Sequence, residues 1–158
     1  MNGHEVVSKS VQIISPVNGE IFAERPVADD REIESALSAA ATAQRAWQSV
    51  PIPERASVCA AMVDAMLSMR EEIVTELAWQ MGRPVRFGAG ELGGFEERAR
   101  YMIDIAEDAL APIVAEPKSG FTRYVRREPL GIVLVVAPWN YPYLTAVNSV
   151  IPALMAGN

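Results

Sequence analysis

The sequence predicts an α/β protein, and two features of the chain carry that prediction. The last thirty residues, 129–158, hold no charged side chain, and within them residues 131–137 form an apolar run rich in β-branched residues. Such a run is typical of a strand that is buried on both faces, as in a parallel sheet. Over much of residues 31–110, apolar residues recur at helical spacing. Helices that precede a buried parallel strand belong to the α/β class.

The first predicted element is a hairpin at the edge of the fold. Residues 11–14 and 20–23 are the two strands, and the segment Pro16-Val17-Asn18-Gly19 between them is a strong turn signal. Residues 1–10 contain charged residues and no apolar core, so they are not a signal peptide. We expect them to form a flexible tail.

Long helices are predicted next, each with local start or stop signals. Asp29 and its neighbours cap the first helix, a proline pair opens the second, and Gly82 followed by a proline stops the third segment. The predicted ranges are 31–48, 53–69, its helical continuation 70–81, and 85–110. Residues 112–120 are predicted to be a connector, and residues 121–128 an exposed strand around Tyr124 and Val125.

The predicted strand 131–137 leads into a turn and then a helix. The segment Pro138-Trp139-Asn140-Tyr141-Pro142 must be a turn, because two prolines four residues apart do not fit inside one strand or helix. Asn140 is a candidate N-cap with Pro142 in the first helical turn, and Gly157-Asn158 is a stop signal. This arrangement holds one polar amide at the carboxyl end of a buried strand, where ligands bind in open α/β sheets.

Composition excludes several classes of function. The net charge of −6 argues against a nucleic-acid partner. The single cysteine, Cys59, excludes an internal disulfide and fits a reducing, cytoplasmic location. The prolines in the uncharged stretch argue against a membrane span. No metal site is predicted.

Three motifs resemble those of the aldehyde dehydrogenase superfamily, in order and in spacing. They are Glu128-Pro129-Leu130-Gly131, Pro138-Trp139-Asn140-Tyr141-Pro142, and the heptapeptide at 152–158. The resemblance implies the N-terminal part of a Rossmann-like coenzyme-binding domain, incomplete, with a helical layer and one arm strand of an oligomerisation sheet. Its implied divisions are the tail 1–10, the hairpin and helices 11–120, the arm strand 121–128, and the first strand, turn and helix 129–158.

The same resemblance implies roles for individual residues. Asn140 would donate its side-chain amide to the oxyanion of a cysteine-bound intermediate, and a small aldehyde would be the substrate. The segment implied to lie along NAD or NADP comprises Val136, Ala137, Pro138 and Trp139. The residues implied to face the aldehyde tunnel are Tyr141, Leu144 and Thr145. Plain alternatives stay open: Asn140 as an N-cap only, and residues 136–139 as sheet-end packing. The intact enzyme would be a homo-oligomer.

In the family, the nucleophilic cysteine and the general-base glutamate lie beyond position 158, so we expect this chain to be inactive on its own. Cys59 lies in an apolar helical stripe and is predicted to be a buried structural residue, while the only histidine, His4, lies in the predicted tail. A different class of function is a non-catalytic helical module whose apolar C-terminal segment docks on a partner.

Residues 88–93 fit the dinucleotide-binding pattern G-x-G-x-x-G, but no predicted strand precedes them. The glycines are better explained as small residues that let helices pack closely. A free-standing dinucleotide binder that used this segment would be excluded by a helix at these positions.

Overall fold

The computed structural model describes residues 10–158. Strand β1 (Ser10–Ile14) pairs with β2 (Ile21–Pro26) in an antiparallel hairpin, with a register shift between Ile13 and Ile14. This confirms the predicted hairpin. The predicted tail lies outside the described residues except for Ser10, which already belongs to β1.

Helix α1 (Asp30–Trp47) begins with a capping box. The Asp29 carboxylate accepts hydrogen bonds from the backbone N–H groups of Arg31 and Glu32, at 2.9 and 2.8 Å, and the Glu32 carboxylate accepts from Asp29 N–H at 2.9 Å. These contacts satisfy N–H groups that have no partner within the helix. The predicted first helix and its cap are confirmed.

The remaining upstream helices are α2 (Ile52–Ser68), α3 (Arg70–Met81), α4 (Val85–Asp104) and α5 (Ala106–Leu110). Gly82 ends α3 with a φ of 76°, a conformation that glycine adopts readily. The predicted helix 85–110 is therefore two helices. The break falls at Ile105, and it turns Ala106 into the core, where 3% of its surface is exposed.

The core forms around α4, which contacts α2, α3, α5 and the last helix, α6 (Pro142–Met155). One cluster joins α2, α4, α5 and α6, and it contains Cys59, Val63, Phe95, Ala99, Ala106, Val147, Ile151 and Met155. A second cluster joins α3 to α4 through Ile73, Val74, Leu77 and Leu92. Helix α4 thus holds α6 in place.

The predicted connector and arm strand form one small antiparallel ribbon. Strand β3 (Ile113–Val114) pairs with β4 (Tyr124–Val125), and the chain reverses near Gly120, whose φ is 80°. The predicted strand 121–128 is therefore only two residues long, and the predicted connector contributes its partner. A strand needs hydrogen bonds from a neighbour, and the nearest chain segment provides them here.

The prediction that residues 131–137 form a buried strand is wrong. The segment has no ladder partner among residues 10–158, and most of its side chains are exposed, with Leu134 at 87% and Val136 at 83%. A parallel strand gains its burial and hydrogen bonds from adjacent strands, and no described strand lies beside this one. The segment is anchored at its start, where Leu130 and Gly131 N–H donate to Asn158 Oδ1 at 2.6 and 2.9 Å. The helices and two small sheets confirm the α/β class.

Helix α6 has Pro142 in its first turn, as predicted, but its N-cap is Tyr141. The prediction that Asn140 caps this helix is wrong, since Asn140 lies one residue too early in the chain. Within residues 10–158, no helix is both long and apolar enough to cross a membrane.

A candidate active-site turn

The turn at residues 138–142 lies at the N-terminus of α6 and carries Asn140 at the surface. The side-chain amide of Asn140 makes no hydrogen bond within residues 10–158, and only its backbone carbonyl is engaged. Both ends of the amide are therefore free to meet a ligand. An amide of this kind is a neutral donor that can face developing negative charge.

Glu91 of α4 performs the capping that the sequence assigned to Asn140. Its Oε1 accepts from the backbone N–H groups of Tyr143 at 2.8 Å and Leu144 at 3.3 Å. The Glu91 side chain has no exposed surface. A carboxylate at a helix N-terminus satisfies unpaired N–H groups and interacts favourably with the helix dipole. Local sequence rules missed this cap because its acceptor, the Glu91 carboxylate, lies about fifty residues upstream.

Arg83 connects Glu91 to the turn. One guanidinium nitrogen forms an ion pair with Glu91 Oε2, and the other donates a hydrogen bond to the carbonyl oxygen of Asn140. The guanidinium carbon lies 4.2 Å from the centroid of the Tyr141 ring, a cation–π distance. The sequence gives little sign of this contact. Arg83 directly follows the helix stop at Gly82, and Glu91 is a charged residue within the predicted helix 85–110.

The four residues predicted to bind the cofactor directly precede Asn140, in a segment that belongs to no helix or strand. Val136, Pro138 and Trp139 are exposed and Ala137 is half-buried, and no described strand pairs with their backbone. Their backbone groups are available to a ligand, and no acidic side chain in residues 129–158 would repel a pyrophosphate. These features fit a dinucleotide, whose site remains a prediction.

The three predicted tunnel residues cluster at the first turn of α6. Tyr141 is exposed on one side of Arg83, and the Thr145 hydroxyl donates to the Tyr141 carbonyl at 2.5 Å. Leu144 packs toward α4, where a Cβ added at Gly94 would lie 2.7 Å from Leu144 Cδ1. The three residues thus lie within about one helical turn of the chain, with Leu144 directed toward α4, and their tunnel role stays a prediction.

Cys59 is far less accessible than a nucleophile would be. Its side chain lies in the core with 1% of its surface exposed. Burial raises the pKa of the Cys59 thiol, and the nearby Arg55 charge offsets part of that rise. The thiolate is the reactive form, so these surroundings suit a structural cysteine.

Residues 88–93 lie inside α4, so the free-standing dinucleotide binder proposed for this segment is wrong. Close helix packing accounts for Gly88, whose added Cβ would lie 2.7 Å from Val74 Cγ1. The packing explanation does not extend to Gly90 and Gly93, which have nothing within 4 Å of such a Cβ.

Comparison with known proteins gives a consistent result. The model of the aldehyde dehydrogenase family matches residues 4–158. A 3,6-anhydro-α-L-galactose dehydrogenase from Streptomyces coelicolor is 32% identical over 149 residues, which are 94% of this chain and 30% of that protein.

Two solved structures superpose closely on this chain. The NADP-dependent glyceraldehyde-3-phosphate dehydrogenase of Bacillus halodurans C-125, complexed with NADP, gives a TM-score of 0.84 at 29% identity over 95% of this chain and 33% of that one. PnpE from Pseudomonas sp. WBC-3, also solved in complex with nicotinamide adenine dinucleotide, gives a TM-score of 0.86 at 28% identity. The match covers 95% of this chain and 31% of that one. The chain therefore spans about 30% of the relative from S. coelicolor. It belongs to the aldehyde dehydrogenase family.

Proposed function

We propose that this chain forms the N-terminal part of an aldehyde dehydrogenase that uses NAD or NADP. In that reaction, one aldehyde, one water and one oxidised cofactor give the carboxylate, the reduced cofactor and two protons. The nicotinamide, when bound, accepts the hydride. The observation that carries the proposal is the free amide of Asn140, which lies in an exposed turn. Asn140 is not needed as a helix cap, because Glu91 accepts the hydrogen bonds of the first N–H groups of α6.

Asn140 is proposed to stabilise the negative oxygen that forms when a thiolate adds to the aldehyde. The amide N–H is neutral and has no hydrogen-bond partner within residues 10–158, so it can donate to that oxygen without breaking a hydrogen bond inside the protein. Loss of one such donor costs about 10²–10³-fold in kcat in other enzymes. The thiolate and the general base are proposed to come from outside these 158 residues, so the chain alone is expected to be inactive.

Val136, Ala137, Pro138 and Trp139 are proposed to lie along the dinucleotide. Their support is a backbone that pairs with no described strand, together with the lack of charge in residues 129–158. Tyr141, Leu144 and Thr145 are proposed to line the approach of the aldehyde. NADP and NAD, bound in the two related structures, support a nicotinamide cofactor here.

We further propose a homo-oligomer and a cytoplasmic location for the intact enzyme. The ribbon of β3 and β4 offers exposed apolar side chains for subunit contact, including Val114 and Val125. The single, buried cysteine fits a reducing compartment.

The test replaces Asn140 in an intact aldehyde dehydrogenase that carries these residues. Asn140→Ala should lower kcat by about 10²–10³-fold and leave the Kd of the cofactor nearly unchanged. Asn140→Asp should be at least as slow, because a carboxylate presents negative charge to an oxyanion. Stopped-flow turnover and cofactor titration on both variants measure these effects.

A role for Asn140 in folding alone predicts another result. If Asn140→Asp keeps the turnover of the parent enzyme while Asn140→Ala only lowers Tm, the catalytic role is wrong. The structure gives reason to expect little change in Tm in either variant, because Tyr141 occupies the N-cap and Glu91 satisfies the N–H groups.

A further inference from the structure

The geometry points to Arg83 and Glu91 as positioning residues that aim the amide of Asn140. This inference rests on the proposed function of Asn140. Neither residue lies in the turn itself; Arg83 follows α3 and Glu91 belongs to α4, and both act on the turn from the helical layer.

The two carboxylate oxygens of Glu91 have different partners. Oε1 accepts from Tyr143 and Leu144 N–H, which follow Asn140, while Oε2 pairs with Arg83. The side chain is fully buried, and a buried carboxylate is tolerated only with partners of this kind. The first turn of α6 is therefore tied to α4 through one side chain.

Arg83 contacts the backbone of Asn140 itself. Its guanidinium donates to the Asn140 carbonyl while it pairs with Glu91, and it lies against the Tyr141 ring. The planar fork of arginine suits two directed contacts at once, which a lysine cannot reproduce with the same geometry. With 8% of its side chain exposed, the group is held largely out of water.

These contacts bracket the one residue whose side chain has no internal partner. Since no hydrogen bond within residues 10–158 orients the amide of Asn140, its direction follows from the backbone that carries it. Arg83 fixes the carbonyl of that residue, and Glu91 fixes the backbone three residues later. A displacement of about 1 Å at a catalytic group can cost about 10²-fold in rate.

The experiment is a set of double-mutant cycles in an intact aldehyde dehydrogenase that carries these residues. Arg83→Met and Glu91→Ala should each lower kcat by about 10- to 100-fold and change the cofactor Kd by less than about twofold. Glu91→Gln should retain more turnover than Glu91→Ala, because its carbonyl oxygen still accepts from the two N–H groups. In the Asn140→Ala background, Arg83→Met should cause no further loss, since the group it positions is gone.

Glu96→Gln is the matched control. Glu96 lies on the same helix and pairs with Arg100 at 2.9 Å, but that pair lies at the surface, where Arg100 also pairs with Asp64 of α2. It should leave kcat unchanged in both backgrounds. All rates are taken per folded molecule, well below the Tm of each variant. Where Arg83→Met does not fold, the kcat values of Arg83→Lys and Glu91→Gln test the positioning role instead.

The outcomes separate the two proposals. If Asn140→Ala is slow but Arg83→Met turns over like the parent enzyme, the positioning role is wrong and the role of Asn140 stands. If Arg83→Met lowers kcat by the same factor with and without Asn140, the pair acts only on the fold, and the positioning role is again wrong. If Asn140→Ala itself turns over normally, both proposals fall.

Discussion

Cys59 shows at the scale of one residue how surroundings set chemistry. The thiol lies in the main core cluster beside apolar side chains from α2, α4 and α6. Burial raises the pKa of Cys59, and the Arg55 charge lowers it by less. The neutral thiol is therefore favoured in the folded chain.

We predict that Cys59 does not react in the folded protein and supports no oxidation of aldehydes. A coloured disulfide reagent should label the thiol much more slowly in buffer than in denaturant. The 158-residue chain, mixed with aldehyde and NAD or NADP, should form no reduced cofactor above a blank without protein. Activity that Cys59→Ser abolishes would overturn both this expectation and the structural role of Cys59.

The same shift predicts how stability depends on pH. Between the ordinary pKa of a thiol, about 8.5, and the raised pKa of Cys59, the unfolded chain loses its proton while the folded chain keeps it. The free energy of unfolding should therefore fall as the pH rises through this window. Urea unfolding at pH 7 and pH 9.5 should show the fall, and Cys59→Ala should reduce it. An equal fall in both proteins would contradict the assignment.

At the scale of elements, α4 connects the two core clusters and approaches α3 and α6 closely. Gly88 faces Val74 of α3, and Gly94 faces Leu144 of α6. Gly90 and Gly93 lie on the same helix with open space where a side chain would go. Four glycines in one helix thus divide into a packed pair and an open pair.

We predict opposite effects of alanine at the two pairs. Gly90→Ala and Gly93→Ala should each raise the free energy of unfolding by about 0.5–1 kcal/mol, because alanine loses less backbone entropy in a helix. Gly88→Ala should lower it by about 1–3 kcal/mol, since the stiff side chain of Val74 cannot move aside easily. Gly94→Ala should cost less, because it meets the flexible end of Leu144. Urea unfolding in dilute solution measures all four.

The open pair is the control for the packed pair, since all four changes are chemically identical. Similar destabilisation at all four positions would mean that α4 does not pack as described. Stabilisation at Gly88 would contradict its close approach to Val74.

How much the sequence predicted depended on whether an element's cause is local. The capping box at Asp29 and the glycine stop at Gly82 lie within a few residues of what they control, and α1 and α3 were predicted nearly to their ends. The strand at 131–137 and the partner of β4 depend on other chain segments: the strand was predicted incorrectly, and the partner lies in a segment predicted to be only a connector. The resemblance to the family supplied Asn140, but the capping role of Glu91 could not be predicted locally, because its contact joins two helices that are far apart in the chain.

At the scale of the whole molecule, the chain joins a well-packed helical layer to a segment, residues 130–136, that pairs with no strand among the described residues. The helical layer buries its core around α4. Beside it, residues 130–136 present exposed side chains, with Leu130 at 94%. The segment leads into the residues proposed to lie along the dinucleotide, and a partner strand for it would have to come from outside the described residues. The alternative function, a non-catalytic module that docks on a partner, would use the same exposed apolar side chains.

We predict that the 158-residue chain on its own associates in solution. Unpaired backbone groups next to exposed apolar side chains favour strand pairing between chains, and such species associate at about micromolar concentrations and above. Light scattering across a dilution series should show the mean mass rising with concentration. Leu134→Lys should reduce association without loss of helical circular dichroism, since a charge at an exposed edge opposes pairing.

Val17→Lys is the control for that variant, because Val17 is also exposed, at 57%, but lies in the turn of the β1–β2 hairpin. It should leave association unchanged if the segment is the contact. Equal relief by the two lysines would indicate a general effect of charge on solubility instead. If the unaltered chain shows a single monomer mass across the dilution series, residues 130–136 do not cause association between chains, and the prediction is wrong.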